Sequence, residues 1–187
     1  MPILHVLAGP NGSGKTTYVE RVLGPSTGLP FVNADAIAAQ RWPNAQQEHA
    51  YDASRAAAGR RQELLIDGRS FITETVFSHP SKNHLLDTAL RLGYYVHLHV
   101  MLLPVDTTVA RVSERVHRGG HAVPEQKIRE RYDRLWSLIV RARDRVDRAE
   151  FFDNTRARSP YRLVASYAQG LPVGDPQWPN WAPHVLR

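Results

Sequence analysis

The sequence predicts an α/β fold, a parallel sheet flanked by helices, on three observations. Short apolar runs alternate with helical stretches along most of the 187 residues, the pattern of strand–helix–strand units. Tyr94–Leu103 is almost continuously apolar, as a strand covered on both faces must be. The first strand also runs straight into a glycine-rich turn that opens a helix.

Taken in order, Ile3–Ala8 is an apolar run bounded by Gly9-Pro10 and reads as a buried strand. Thr16–Leu23 follows as a short helix closed by Gly24-Pro25. Phe31–Asn33 is a second strand leading into Ala34–Ile37. A long helix is expected over Ala45–Ile66, with Asp67-Gly68 as its stop. Phe71–Phe77 is a third strand, Ser81–Leu92 a helix ended by Gly93, and Tyr94–Leu103 the next strand. Two arginine-rich helices, Asp106–Arg118 and Pro124 to about Arg145, flank the segment 119–123. Glu150–Asp153 is the last parallel strand expected and Tyr161–Ala168 an edge strand. No repeat or low-complexity linker divides the chain, so one domain over residues 1–187 is expected. Within it, 106–145 forms a lid region and 156–187 a C-terminal wrapping segment.

Composition narrows the function. Apolar residues at 42% supply a packed core, and 22% charged residues exclude a disordered chain. The absence of cysteine removes disulfide scaffolds, thiolate zinc sites and cysteine nucleophiles together, and suits a reducing cytosol. No apolar run is long enough to span a bilayer, and Met1–His5 has neither a basic n-region nor a cleavage site. A soluble, cytoplasmic protein without membrane contact is the expectation. The net charge of +6 is local: between Arg111 and Arg162 stand 14 basic and 8 acidic residues, against 24 and 18 in the whole chain. That suits a local anion site and argues against a general nucleic-acid face, which would interleave aromatics.

Gly9-Pro10-Asn11-Gly12-Ser13-Gly14-Lys15-Thr16, followed by Thr17, matches G-x-x-x-x-G-K-[ST] between a strand and a helix. The glycines let backbone N–H groups wrap a phosphate chain, and the helix N-terminus adds partial positive charge. The motif therefore predicts a nucleotide triphosphate site, a Walker A P-loop for ATP. Lys15 would reach the β- and γ-phosphates, and the Thr16 hydroxyl would ligate Mg2+. Pro104-Val105 follows the Tyr94–Leu103 strand, where motor and transporter ATPases keep an acid. No N-K-x-D motif selects guanine, and the chain is short for most AAA-type machines. A small kinase with an acceptor site and an arginine-rich lid remains.

Asp35 lies just past the second strand, where a carboxylate takes the proton of an acceptor hydroxyl. The competing role is a helix N-cap. Glu74 alternates with Thr73 and Thr75 in an apolar strand, where a carboxylate needs a partner. Metal-bound water, a substrate hydroxyl and an arginine are the alternatives. On the Asp106–Arg118 helix, Val109, Val112 and Val116 form the expected buried stripe. Arg111, Arg115 and Arg118 lie opposite, suiting a lid over the γ-phosphate. His121 follows Gly119-Gly120 and is a candidate for phosphate or acceptor contact. His97 and His99 share a strand face as a metal pair would, but no third ligand is apparent, and sheet packing is expected.

These residues together resemble the zeta-toxin family of P-loop kinases, in its compact branch. The resemblance rests on G-P-N-G-S-G-K-T-T at 9–17, N-A-D-A-I-A at 33–38, E-T at 74–75, R-V-x-x-G-G-H-x-V-P at 115–124, I-R-x-R-Y at 128–132 and F-D-N-T at 152–155. It implies Lys15 and Thr16 as ATP·Mg2+ residues, Asp35 as catalytic base, Glu74 and Thr75 in the acceptor site, and lid arginines on the phosphates. It further implies a sugar hydroxyl of UDP-N-acetylglucosamine as acceptor and an antitoxin protein as partner. The expected activity is ATP-dependent phosphoryl transfer to an alcohol group of a small, anionic metabolite. Alternatives are a nucleotide or nucleic-acid end kinase, and an ATP-dependent binding switch with no phosphorylated acceptor.

Overall fold

The computed structural model describes residues 1–117 and 123–187. Five parallel strands, β1 (Ile3–Ala8), β2 (Phe31–Val32), β3 (Phe71–Thr75), β4 (Tyr95–Leu102) and β5 (Arg148–Asp153), form the body of one sheet. β6 (Arg162–Ala168) and β7 (Leu171–Pro172) extend it antiparallel, giving the order β2-β3-β1-β4-β5-β6-β7. The expected parallel sheet holds through β5, and the one correction is that β6 is not the edge, because β7 pairs outside it. Gln169 and Gly170, both at positive φ, turn β6 tightly into β7, and a tight turn makes only an antiparallel pair.

The strand order doubles back around β1, which puts its carboxyl end at mid-sheet, where α/β folds open a ligand crevice. One sheet face packs against α4 (Ala50–Ile66), α5 (Ser81–Arg91) and α7 (Glu125–Arg143), with Leu4, Leu98, Leu135 and Phe151 fully buried between them. The other face carries a smaller cluster of Leu7, Ile72 and Met101 under Tyr18, Val19 and Leu23. Trp178 and Trp181 of the C-terminal segment pack on the larger core.

Gly24-Pro25 does not end the first helix. α1 (Lys15–Tyr18) continues through a π-helical turn at Val19–Leu23 into α2 (Gly24–Thr27), and Gly28 ends it. Pro25 stands where the π turn passes into α2, so its missing N–H falls at the shift in hydrogen-bond register. The next helix, α3 (Ala34–Arg41), is capped by Asn33, whose Oδ1 accepts from the N–H groups of Asp35 and Ala36 at 2.7 and 3.4 Å. α4 starts at Ala50 rather than Ala45 because residues 46–49 are taken up in turns. β3 stops at Thr75, since Phe77 adopts φ 66° and the Thr75 hydroxyl accepts its N–H.

α6 (Val105–His117) and α7 lie where two helices are expected. The buried stripe of α6 is Thr108 and Val112, whereas Val109 and Val116 are only half-buried. The α7 stripe holds at Ile128, Leu135 and Ile139. Among the described residues no helix is long and apolar enough to cross a membrane.

Candidate active site

The segment joining β1 to α1 is a cradle built by glycine. Gly14 sits at φ 90°, and a Cβ there would lie 2.4 Å from Asn154 Nδ2; one on Gly9 would lie 2.5 Å from the Met101 carbonyl. Both positions combine left-handed backbone with absent space, so only glycine fits. Asn154 locks the loop from β5: its Nδ2 donates to the Ser13 carbonyl at 2.8 Å, and Arg111 Nη2 donates to its own carbonyl at 3.0 Å. Tyr161 O–H donates to the Gly14 carbonyl at 3.4 Å.

Within the cradle, Lys15 Nζ donates to the Gly9 and Pro10 carbonyls at 3.0 and 2.9 Å. Burial pushes its ammonium below the ordinary lysine range, while Glu74 and Asp35 pull it back up. The Thr16 hydroxyl faces both Glu74 oxygens at 3.0 and 2.9 Å, and Asn33 Nδ2 donates to the first at 2.8 Å. Burial raises the Glu74 carboxyl, opposed by Lys15 and by the bonds from Thr16 and Asn33. Glu74 is thus partnered by Thr16 and Asn33, neither of which is among the partners expected for it. Adjacent Thr16 and Glu74 oxygens are the hard donors that Mg2+ takes. Asn11 Oδ1 and Ser13 Oγ are buried without partners, leaving polar capacity in the loop. The residues present fit a nucleotide phosphate chain with its cation.

A cavity of about 970 Å3 opens from this cradle. Asn11, Gly12, Gly14, Lys15, Thr16 and Thr17 line it, while Gly9, Pro10 and Ser13 are buried beneath the loop and do not. Asp35, Glu74, Thr75, Arg111 and Arg115 line it as well. Asp35 is exposed, and its N-cap role is corrected: Asn33 holds that position, which frees the Asp35 carboxylate toward the cavity. Arg111 is tied to backbone, reaching the Gly12 carbonyl at 3.4 Å besides Asn154, and so clamps the loop. Arg118 and His121 lie outside the described residues.

Sequence reasoning missed a further part of this cavity's lining. Ala50, Ser54, Ala57 and Arg61 line it from α4, Lys82 from α5 and Arg131 from α7. Burial lowers the Arg61 guanidinium, and burial together with Arg61 lowers the Lys82 ammonium. Two cations are thus held side by side with no carboxylate between them among the described residues. The stripe of small residues ending in Arg61, at helical spacing, was the available signal. Asn154 was equally legible as the polar residue just past an apolar strand.

The AAA domain family matches residues 4–136 of the chain. An uncharacterized protein of Haemophilus influenzae is 32% identical over 125 residues, 66% of this chain and 88% of its own. A structure from the PezAT chromosomal toxin–antitoxin system of Streptococcus pneumoniae superposes with a TM-score of 0.62 at 15% identity, covering 89% of this chain and 72% of that one. The AvrRxo1-ORF1:-ORF2 complex with ATP gives 0.61 at 18% identity over 92% of this chain and 60% of that one. Shikimate kinase from Acinetobacter baumannii gives 0.52 at 18% over 87% and 88%. The fold is that of kinase-like P-loop proteins.

Proposed function

Because the chain belongs to the AAA domain family and has a kinase-like P-loop fold, we propose that it transfers the γ-phosphoryl group of ATP to a hydroxyl of a small anionic metabolite. The observation that carries this reading is the single cavity shared by the cradle, Asp35 and the cations Arg61 and Lys82. It offers a donor end, a carboxylate and an anion-holding acceptor end in that order of chemistry.

In this reading the acceptor hydroxyl gives its proton to Asp35 as its oxygen bonds to the γ-phosphorus. The bond from that phosphorus to the bridging oxygen breaks, and the electron pair leaves on ADP. Lys15 turns from the Gly9 and Pro10 carbonyls to the phosphates, and Arg115 adds positive charge from α6. Thr16 and Glu74 would hold Mg2+, which would supply charge neutralisation on the phosphates. The helices of residues 106–145 close as a lid and exclude water. A nucleotide sugar such as UDP-N-acetylglucosamine is the acceptor first in line, on the zeta-toxin resemblance of the motifs, and an antitoxin protein is the proposed partner, in keeping with the toxin–antitoxin system of the PezAT neighbour.

Mass spectrometry of metabolite pools incubated with Mg-ATP tests this, comparing wild type with Lys15→Ala. A species heavier by one phosphoryl group, formed only by wild type, is expected. ATP binding without any phosphorylated metabolite would move the binding switch ahead. The arginine excess of 111–162 favours an end kinase as second reading, whose oligonucleotide binding would fall steeply with salt.

A further inference from the structure

His5, His97 and His99 converge on the sheet face that lies under α1. In the β1–β4 register His5 stands directly opposite His97, and His99 follows on the same face. One ring nitrogen of each lies within 4.8 Å of the others. His5 Nδ1 and His99 Nε2 are 3.0 Å apart, and the His97 and His99 rings stack at 3.9 Å. The third histidine that the sequence did not reveal comes from a strand more than ninety residues away.

Two further features make this more than sheet packing. His99 is 2% exposed with its Nε2 bonded to His5 Nδ1, yet among the described residues its Nδ1 has no hydrogen-bond partner, so one buried ring nitrogen is left unsatisfied. Behind His97, Glu150 Oε2 accepts from Nε2 at 3.0 Å, which leaves Nδ1 as a lone pair. A carboxylate backing an imidazole in this way is the usual outer partner of a ligating histidine, and Glu150 is itself fixed by Arg148.

We propose that His5, His97 and His99 form a binding site for a divalent cation of the zinc class. Three imidazoles without thiolate suit zinc and its neighbours, whereas Mg2+ and Ca2+ require oxygen ligands. Two imidazole nitrogens on a tetrahedral zinc stand about 3.3 Å apart, given Zn–N near 2.0–2.1 Å. His5 Nδ1 and His99 Nε2 share a hydrogen bond that an ion would replace and already stand near this separation, and modest ring rotation brings in His97. His97 is the partly exposed member, so water completes the set from its side. His5 is near the start of β1, whereas the phosphate cradle is at its end. The ion therefore braces β1 against β4, the pair that carries the cradle, and takes no part in phosphoryl transfer. Tyr18 of α1 packs its ring 5.9 Å from His99, which links the brace to the P-loop helix.

The test uses the full chain stripped with a chelator and then given Zn2+, Co2+ or Mg2+ alone. Zn2+ at a hundredfold excess over its Kd is expected to raise Tm by about 5 °C or more, and Mg2+ is expected to leave it unchanged. Co2+ should give the intense visible bands of a low-coordinate nitrogen site, and X-ray absorption should count three imidazoles. His97→Gln keeps a donor for Glu150 and should lose Zn2+ affinity at least tenfold. The proposal is overturned by an unchanged wild-type Tm, by fewer than three imidazoles, or by equal affinity in His97→Gln. Should that variant not fold, the wild-type cobalt and X-ray spectra decide the matter by themselves.

Discussion

The Thr16 hydroxyl lies within hydrogen-bond distance of both carboxylate oxygens of Glu74, at 3.0 and 2.9 Å, across the gap between α1 and β3. P-loop motors take their acidic partner for this hydroxyl from the strand next in function, but here β4 runs into Pro104 and β3 supplies it. Glu74→Gln keeps a partner for Thr16 and removes the charge. The fold should survive, with phosphoryl transfer reduced about a hundredfold or more and the Mg2+ requirement raised. Turnover titrated against Mg2+ checks this; an unchanged Mg2+ midpoint would remove Glu74 from the cation site.

Asp35→Asn separates chemistry from nucleotide binding. Asn33 holds the α3 cap in this variant, so structure should be retained. A loss of about 10²–10⁴ in kcat is expected with ATP affinity kept, whereas Lys15→Ala should lose ATP affinity itself. Full activity in Asp35→Asn would sink Asp35 as the base.

Arg61→Ala and Lys82→Ala should raise the acceptor KM about tenfold each, with little change in kcat or in ATP affinity. Relief of their mutual repulsion should leave stability equal or slightly higher. Steady-state kinetics on the identified acceptor, and on an analogue lacking its anionic group, measures the difference. An equal effect on both compounds would argue against an anion contact.

Gly14→Ala forces a Cβ onto Asn154 Nδ2 at a backbone angle alanine rarely adopts. Destabilisation of about 2 kcal/mol or more is expected, which lowers Tm by about 4–8 °C at this size. Adding Asn154→Ala relieves the contact but not the φ angle, so thermal denaturation of the double variant should recover only part of the loss.

Chelated protein should lose stability as pH falls from 6.5 toward 4. The unfolded chain protonates His5 near 6.5, whereas in the folded protein burial and His97 hold it neutral down to about 4. Protons therefore favour unfolding throughout that window, by about 2 kcal/mol between pH 7 and 5. His99 acts in the same direction; Arg148 faces the cluster with positive charge, Glu150 with negative, and Tyr18 covers it. Denaturant midpoints at the two pH values measure the slope, and His5→Gln should flatten it.

The cradle was legible because its chemistry is local: glycine spacing, the strand before and the helix after are all set by neighbours in the chain. The same holds for Asp35 and Glu74, each adjacent to a strand end that α/β topology turns toward the crevice. The Pro25 boundary failed because a π turn shifted the hydrogen-bond pattern, an adjustment no propensity records. The valine stripe of α6 was misjudged because burial there depends on how the helix sits over the loop, with Arg111 turned inward to Gly12 and Asn154.

By itself, then, the sequence determined the α/β class, the glycine-rich cradle and the two carboxylates beside it, since short-range periodicity and turn chemistry specify those. Only the tertiary structure decided which partners those groups have. Asn154 reaches Ser13 across 141 positions, Glu74 reaches Thr16 across 58, and His5 reaches His99 across 94. Arg61 and Lys82 likewise meet only because α4 and α5 pack on one sheet face. Pairings of that length are fixed by strand order and register, which the whole core selects and no local segment encodes.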